Sequence, residues 1–299
     1  MDYELIIIGT GPAGMTASIY ASRYKIKHLI VGEMPGGLMS EAHKVCNFPS
    51  EIEISGFDLM TKMKTHVDSF GTAWVMGRAE KVEKIEGGFR LTIGSKSFTA
   101  QTIILATGTK RRGLELEREK ELTGKGVAYC ATCDAMFYKD QVVAVAGGGN
   151  SAMTSALHLA NICEKVYMLV RSELKGDAIW IEQVKNNPKI EIIYQAGVKQ
   201  LLGEGKLSGI DLGDRQLAVT GLFIEVGSIP DTSWLPDLGL DINERGYIKV
   251  DDAKQTNVAG LFAAGDITTG SAGLNQIITA CAEGAVAANT AFQYIQKGL

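Results

Sequence analysis

Short apolar runs recur along this chain, each followed by glycine and then by a stretch whose apolar residues return every three or four positions. Residues 4 to 9 read as a strand, Pro12 to about Arg23 as a helix and His28 to Val31 as a second strand, a compact β-α-β unit. The succession returns at Gln141 to Ala146, about Asn150 to Asn161, and Lys165 to Val170. Further strands are expected at Phe89 to Ile93, Ser97 to Ala106, Leu217 to Ile224 and Tyr247 to Val250, and a long terminal helix at Ile277 to Ile295. Runs such as Leu5 to Ile8 are far shorter than a membrane-spanning helix, and their length suits buried strands. No membrane partner is expected.

The 299 residues are 45% hydrophobic, enough for one large domain or for two domains with cores of their own. A net charge of -4 gives no basic field for DNA or RNA, so no nucleic acid partner is expected. The start, Met1-Asp2-Tyr3-Glu4, is acidic and enters a strand almost at once, unlike a secretory signal, and a cytoplasmic protein is expected. Five cysteines at irregular spacing, 46, 130, 133, 163 and 281, do not form a structural disulphide framework.

Two glycine motifs sit between strand and helix. In Gly9-Thr-Gly11-Pro12-Ala13-Gly14, the first glycine permits the turn, the second lets backbone approach a pyrophosphate, and the third lets helix and strand pack closely. The helix start offers amides and partial positive charge to phosphates, and Glu33, just past the second strand, is the candidate ribose acceptor. This motif alone does not choose between FAD and a nicotinamide cofactor. Gly147-Gly-Gly149-Asn150-Ser151-Ala152 repeats it in looser form. Near the C-terminus, a strand ending in Gly265-Asp266 can place a carboxylate against a ribityl hydroxyl, and the helix from about Gln276 then points its amides toward a flavin ring.

Cys130-Ala-Thr-Cys133-Asp134 can close a small disulphide and exchange it, with Asp134 as proton donor or acceptor if burial raises its pKa. Half of a zinc site and two unrelated core cysteines are the rival readings, and no metal site is expected because the other cysteines are solitary. His28, His43, His66 and His158 are scattered and read as surface or packing residues; Lys110-Arg111-Arg112 reads as a solvated linker and Cys46 as a small apolar filler.

Gly9 to Gly14, Ala106 to Gly108 and Gly260 to Asp266 together resemble the flavoprotein disulphide reductases with two dinucleotide domains. The resemblance implies FAD at Gly9, Gly11, Pro12, Ala13, Gly14, Glu33, Gly37, Leu38, Asn47, Ala106, Thr107, Gly108, Gly265, Asp266, Gln276 and Ile277. It also implies an α/β fold of two Rossmann-like dinucleotide-binding domains, the second, residues 114–242, inserted into the first, residues 1–113 and 243–299. The string C-A-T-C-D followed by Ala135-Met-Phe-Tyr138 resembles the low-molecular-weight thioredoxin reductases of bacteria and archaea, over essentially the whole chain. That likeness implies a homodimer in which Cys133 faces the flavin, Cys130 exchanges with thioredoxin or a similar protein, and Asp134 is the acid-base group.

Departures from the family are local at Ala135, usually glycine, and Leu38, usually glutamine. A larger one concerns the electron donor. The family's NADPH site would use Gly147, Gly149, Asn150, Ser151, Ala152 and Arg171, but its further 2'-phosphate arginines are replaced in Val170-Arg171-Ser172-Glu173-Leu174-Lys175. Glu173 would repel a phosphate, so NADPH use is in doubt, with NADH, reduced ferredoxin or a deazaflavin as other donors. A flavin redox sensor without turnover is a further alternative; a ferredoxin-NADP reductase would have no use for the dithiol. Because the dithiol must meet the flavin and later its partner, the inserted domain is expected to rotate about crossings near residues 113 and 243.

Overall fold

The computed structural model describes residues 1–298; Leu299, the last residue assigned to the outer domain, lies outside them. The chain divides into two compact units, one of Met1–Lys110 with Ile229–Leu299 and one of Arg111–Ser228.

In the first unit a seven-stranded sheet runs in the order Ala73–Met76, His28–Gly32, Tyr3–Ile8, Lys96–Leu105, Gly88–Ile93 and Lys81–Ile85, with Leu261–Ala263 also pairing to Lys96–Leu105. The ten-residue strand Lys96–Leu105 has room for two neighbours on one edge. Its first half pairs antiparallel with Gly88–Ile93, and Ile103 to Leu105 pair parallel with Leu261–Ala263.

Alternation along the strands explains why their apolar runs are unbroken. Leu5 and Ile7 enter a core shared with helices Pro12–Arg23, Gly56–Asp68 and Ile277–Gln296, while Ile6 and Ile8 face a second core with Phe89, Leu91, Leu235, Leu238 and Ile248. With apolar cover on both faces, a polar residue at either register would lose its water. Helices Pro12–Arg23 and Ile277–Gln296 meet where a Cβ added at Gly284 would lie 2.1 Å from the Ala13 carbonyl oxygen.

The second unit repeats the scheme with a five-stranded parallel sheet, Ile190–Tyr194, Lys165–Val170, Val142–Ala146, Gly221–Ile224 and Val127–Ala128. Helix Asn150–Ala160 covers one face through Ala152, Met153, Ala156 and Leu159. A three-stranded antiparallel sheet, Gln200–Leu202, Gly209–Asp211 and Gln216–Leu217, completes it.

Three stretches differ from the expectation. The run Leu217 to Ile224 is two strands, because Thr220 N–H donates to Val142 C=O (3.0 Å) only after the chain has left the small sheet. Tyr247 to Val250 forms isolated bridges, Ile248 to Ile242 and to Thr268, and no continuous strand. Residues 229–242 belong to the first unit, where Leu235 and Leu238 are buried in its second core.

Candidate active site

Three parallel strands of the first unit end side by side at Ile8, Leu105 and Ala263. Gly9, Ala106 and Ala264 follow directly, tied by Ala106 N–H to Ile8 C=O (2.7 Å) and Ala264 N–H to Leu105 C=O (2.9 Å). A Cβ at Gly9 would lie 2.0 Å from the Ala106 oxygen, and one at Gly14 1.9 Å from the Gly9 oxygen. Strand, turn and helix start are in backbone contact that only glycine permits.

Gly11 differs, for a Cβ there would find nothing closer than the Gly36 oxygen at 3.9 Å. It opens the turn beside the helix start Pro12–Arg23, which no side chain caps. Uncapped amides beside an open glycine are what a pyrophosphate requires. The neighbouring loop is drawn in as Thr10 Oγ1 donates to Met34 C=O and Gly36 N–H to Thr10 C=O, each at 2.7 Å. A Cβ added at Gly37 would come to van der Waals distance of Gly11, 3.8 Å from its Cα; Glu33, Leu38 and Thr107 are exposed, and Gly108 is half-buried.

Asn47 and Gln276, 229 residues apart, meet through Asn47 Nδ2 donating to Gln276 Oε1 at 2.8 Å. Gln276 caps the terminal helix in a reciprocal box with Thr279, and Ile277 behind it is buried. The Gly265 corner packs on Ala13 and places Asp266 largely out of water. Burial, and then the nearby Glu283 carboxylate, push the Asp266 carboxyl up to about 6. A desolvated carboxyl gains from a hydroxyl donor. Open glycine, uncapped helix and buried acceptor together fit a dinucleotide carrying a polyol chain.

In the second unit Cys130 and Cys133 are joined in a disulphide, which excludes two unrelated core cysteines. Cys130 is the N-cap of the short helix Ala131–Asp134, and its Sγ accepts the Cys133 N–H at 3.1 Å. Cys130 is buried and Cys133 exposed, with Asp134 half-buried beside them. Asp134 is the charge that, after burial, raises the Tyr138 phenol above its ordinary range. Ala135 is buried with ordinary helical backbone, so a methyl in place of glycine is accommodated. Tyr129, just before Cys130, donates its hydroxyl to the buried Glu119, which also accepts the N–H of Leu114 (3.1 Å) and Leu116 (3.0 Å). Met136 and Phe137 project into solvent just past the disulphide.

The second glycine turn has the form of the first: a Cβ at Gly147 would meet the Glu225 oxygen at 2.3 Å, and helix Asn150–Ala160 starts uncapped at Gly149. Its surroundings differ. Lys175 N–H donates to Gly148 C=O (2.7 Å), Asp177 N–H donates to Asn150 Oδ1 (2.8 Å), and a Cβ at Gly176 would lie 2.1 Å from the same oxygen. The chain's own loop therefore engages the turn. Arg171 is exposed, and Lys175 is paired with Glu173 at 3.8 Å. Ser151 is exposed at the helix start and Ala152 buried.

Lys110, Arg111 and Cys46 depart from their expected roles, and His28 keeps its own. Lys110 and Arg111 are engaged in ion pairs, with Asp231 (3.3 Å) and with Glu225 (3.1 Å), so they are no free linker charges. Glu225, unsuspected from sequence, also accepts from Ser155 Oγ at 2.8 Å. Cys46 is exposed beside Asn47 to Ile52, which corrects its reading as a small apolar filler. His28 is a packing residue, bonded to Ser18 (2.8 Å) and the Ile26 carbonyl (3.0 Å), and burial holds its pKa below the ordinary value. Among the described residues no cluster of His, Cys, Asp or Glu could hold a metal, and no helix is long and apolar enough to cross a membrane.

The pyridine nucleotide-disulphide oxidoreductase family model matches residues 3–284. A thioredoxin reductase of Listeria monocytogenes is 36% identical over 99% of this chain and 94% of its own. Among solved structures, Lactococcus lactis thioredoxin reductase in its FR conformation superposes with a TM-score of 0.94 at 32% identity, covering 99% of both chains. A ferredoxin-flavin thioredoxin reductase of Clostridium acetobutylicum gives 0.55 at 29% identity, covering 99% of this chain and 98% of the other.

Proposed function

The chain belongs to the pyridine nucleotide-disulphide oxidoreductases as a low-molecular-weight thioredoxin reductase, an FAD-dependent enzyme, and from that premise we propose that it reduces thioredoxin through Cys130–Cys133 with electrons from reduced ferredoxin rather than NADPH. The observation that carries the donor assignment is the second glycine turn, engaged by the loop from Glu173 to Asp177 and left with Arg171 as its cation at the strand end. A 2'-phosphate needs paired cations or a bidentate fork, whereas Lys175 is already paired with Glu173.

FAD, when bound, carries two electrons from the donor to the disulphide. The first glycine turn and the helix start at Pro12 would hold its pyrophosphate, Glu33 the ribose and Asp266 the ribityl chain, and Asn47 with Gln276 would line the flavin end. Two electrons and two protons open Cys130–Cys133 to a dithiol. The Cys130 thiolate attacks the thioredoxin disulphide; Cys133 then displaces the reduced partner and the disulphide reforms. Asp134, adjoining the pair, shuttles the proton. Cys130 is the less exposed of the two residues, so exchange with a partner must also bare it. A homodimer and a cytoplasmic setting belong to this reading.

Mixing the yellow protein anaerobically with reduced ferredoxin, NADPH and NADH in turn tests the donor. Ferredoxin is expected to bleach the flavin and NADPH to leave it yellow. Bleaching by micromolar NADPH would reject the donor assignment and leave the disulphide chemistry standing.

A further inference from the structure

Glu283 is a buried carboxylate that the chemistry above does not use. It sits on the inward face of the terminal helix and is 4% exposed. A charge that deep persists only where donors replace its water. Four do so. Oε2 accepts from Gly265 N–H (2.8 Å) and Thr268 Oγ1 (3.0 Å); Oε1 accepts from Ser271 Oγ (2.7 Å) and pairs with Lys254 Nζ at 3.5 Å.

Three of these donors lie on one segment, residues 265–271, which begins with the Gly265-Asp266 corner. Local preference does not explain its shape. Ser271 (φ 52), Ala272 (φ 51) and Gly273 (φ 79) are consecutive left-handed residues, and two of them carry a Cβ that disfavours that region. Lys254 is left-handed as well, at φ 64. At Gly270 a Cβ would lie 2.1 Å from Glu283 Oε1, so backbone is drawn directly against the carboxylate. The strained run is held from the helix.

We propose that Glu283 is a positioning residue for FAD: its carboxylate fixes residues 265–271 and so presents Asp266 to the cofactor. The inference rests on the reading that the first unit binds FAD. The charged groups around the carboxylate are Asp266 from the segment it holds and Lys254 from the turn before; helix Pro12–Arg23, packed on the same corner through Ala13, carries its one charge at Arg23, its far end. Glu283 adds to the burial that raises Asp266, so removing its charge also moves the protonation of the group that meets the cofactor.

FAD affinity measured against pH by the fluorescence of free flavin tests this with wild type, Glu283→Gln and Glu283→Ala. Gln keeps the shape but offers an amide to donors, and is expected to weaken binding roughly tenfold and to move its pH midpoint down by about half a unit. Ala is expected to lose FAD further while far-UV dichroism of the apo-protein is kept; should it not fold, Gln decides alone. Gln binding FAD as tightly as wild type, with the same pH midpoint, overturns the proposal. A wild-type chain that takes up no FAD at any pH refutes the FAD reading itself.

Discussion

Cys130 and Cys133 differ in exposure and in hydrogen bonding, and that asymmetry bears on which sulphur meets the partner. The Cys133 N–H points at the Cys130 sulphur, and Cys130 is the expected nucleophile although it is the more buried residue. Cys133→Ser is therefore expected to accumulate a mixed disulphide with thioredoxin, visible on a non-reducing gel, and Cys130→Ser is not; the reverse outcome would exchange the two roles. Asp266 gives a prediction in pH. Its folded pKa, about 6, stands above the ordinary 3.8, so the folded apo-protein prefers the neutral acid. The stability tied to that proton is complete below about 4 and is lost as pH rises through about 6. Apo-protein carrying Asp266→Asn should thus melt increasingly above wild type across that window, reaching an advantage of about 2 kcal/mol once screening at the partly exposed carboxyl is counted. Parallel melting curves from pH 4 to 7 would argue against a raised Asp266. Cys130-Ala-Thr-Cys133 was readable at this scale because its meaning lies in spacing alone, whereas nothing adjacent to Asp266 announces its environment. Glu225 and Glu283 gave equally little sign, each being one acid in an apolar stretch.

The elements were legible wherever local rules set them. An apolar run, a glycine turn and an uncapped helix start recur twice, and both times the structure forms strand, turn and helix. Gly14 is the position where that arrangement is least tolerant, since a methyl would lie 1.9 Å from the Gly9 carbonyl oxygen. Gly14→Ala should push the helix from the strand, with an overpacking cost of roughly 1–3 kcal/mol and marked loss of bound FAD. Purified variant that is as yellow and as heat-stable as wild type would contradict this. Where elements depend on distant partners the pattern misled. Tyr247 to Val250 alternates like a strand, but its neighbours offer single bridges at Ile242 and Thr268. The run through Leu217 to Ile224 looks continuous in sequence, and two different sheets claim its ends.

At the scale of the whole molecule, the chain passes between its units at 110/111 and 228/229. One dithiol has to serve two half-reactions, so turnover is expected to require the inserted unit to turn about these crossings. A crosslink joining the units should abolish steady-state reduction of thioredoxin while leaving bound FAD in place; full turnover with the units locked would exclude the rotation. The two nucleotide folds and the redox pair followed from the sequence by itself, because tight turns, strand length and the three-residue step between sulphurs are constraints among neighbours. Tertiary structure alone decided that Leu235 and Leu238 pack with the first unit, that Asn47 reaches Gln276 and that Glu225 takes Arg111. It also decided that the loop at Lys175 engages the second glycine turn. Those outcomes turn on burial and on partners far away along the chain, where desolvation and close packing set the energy and no nearby residue records it.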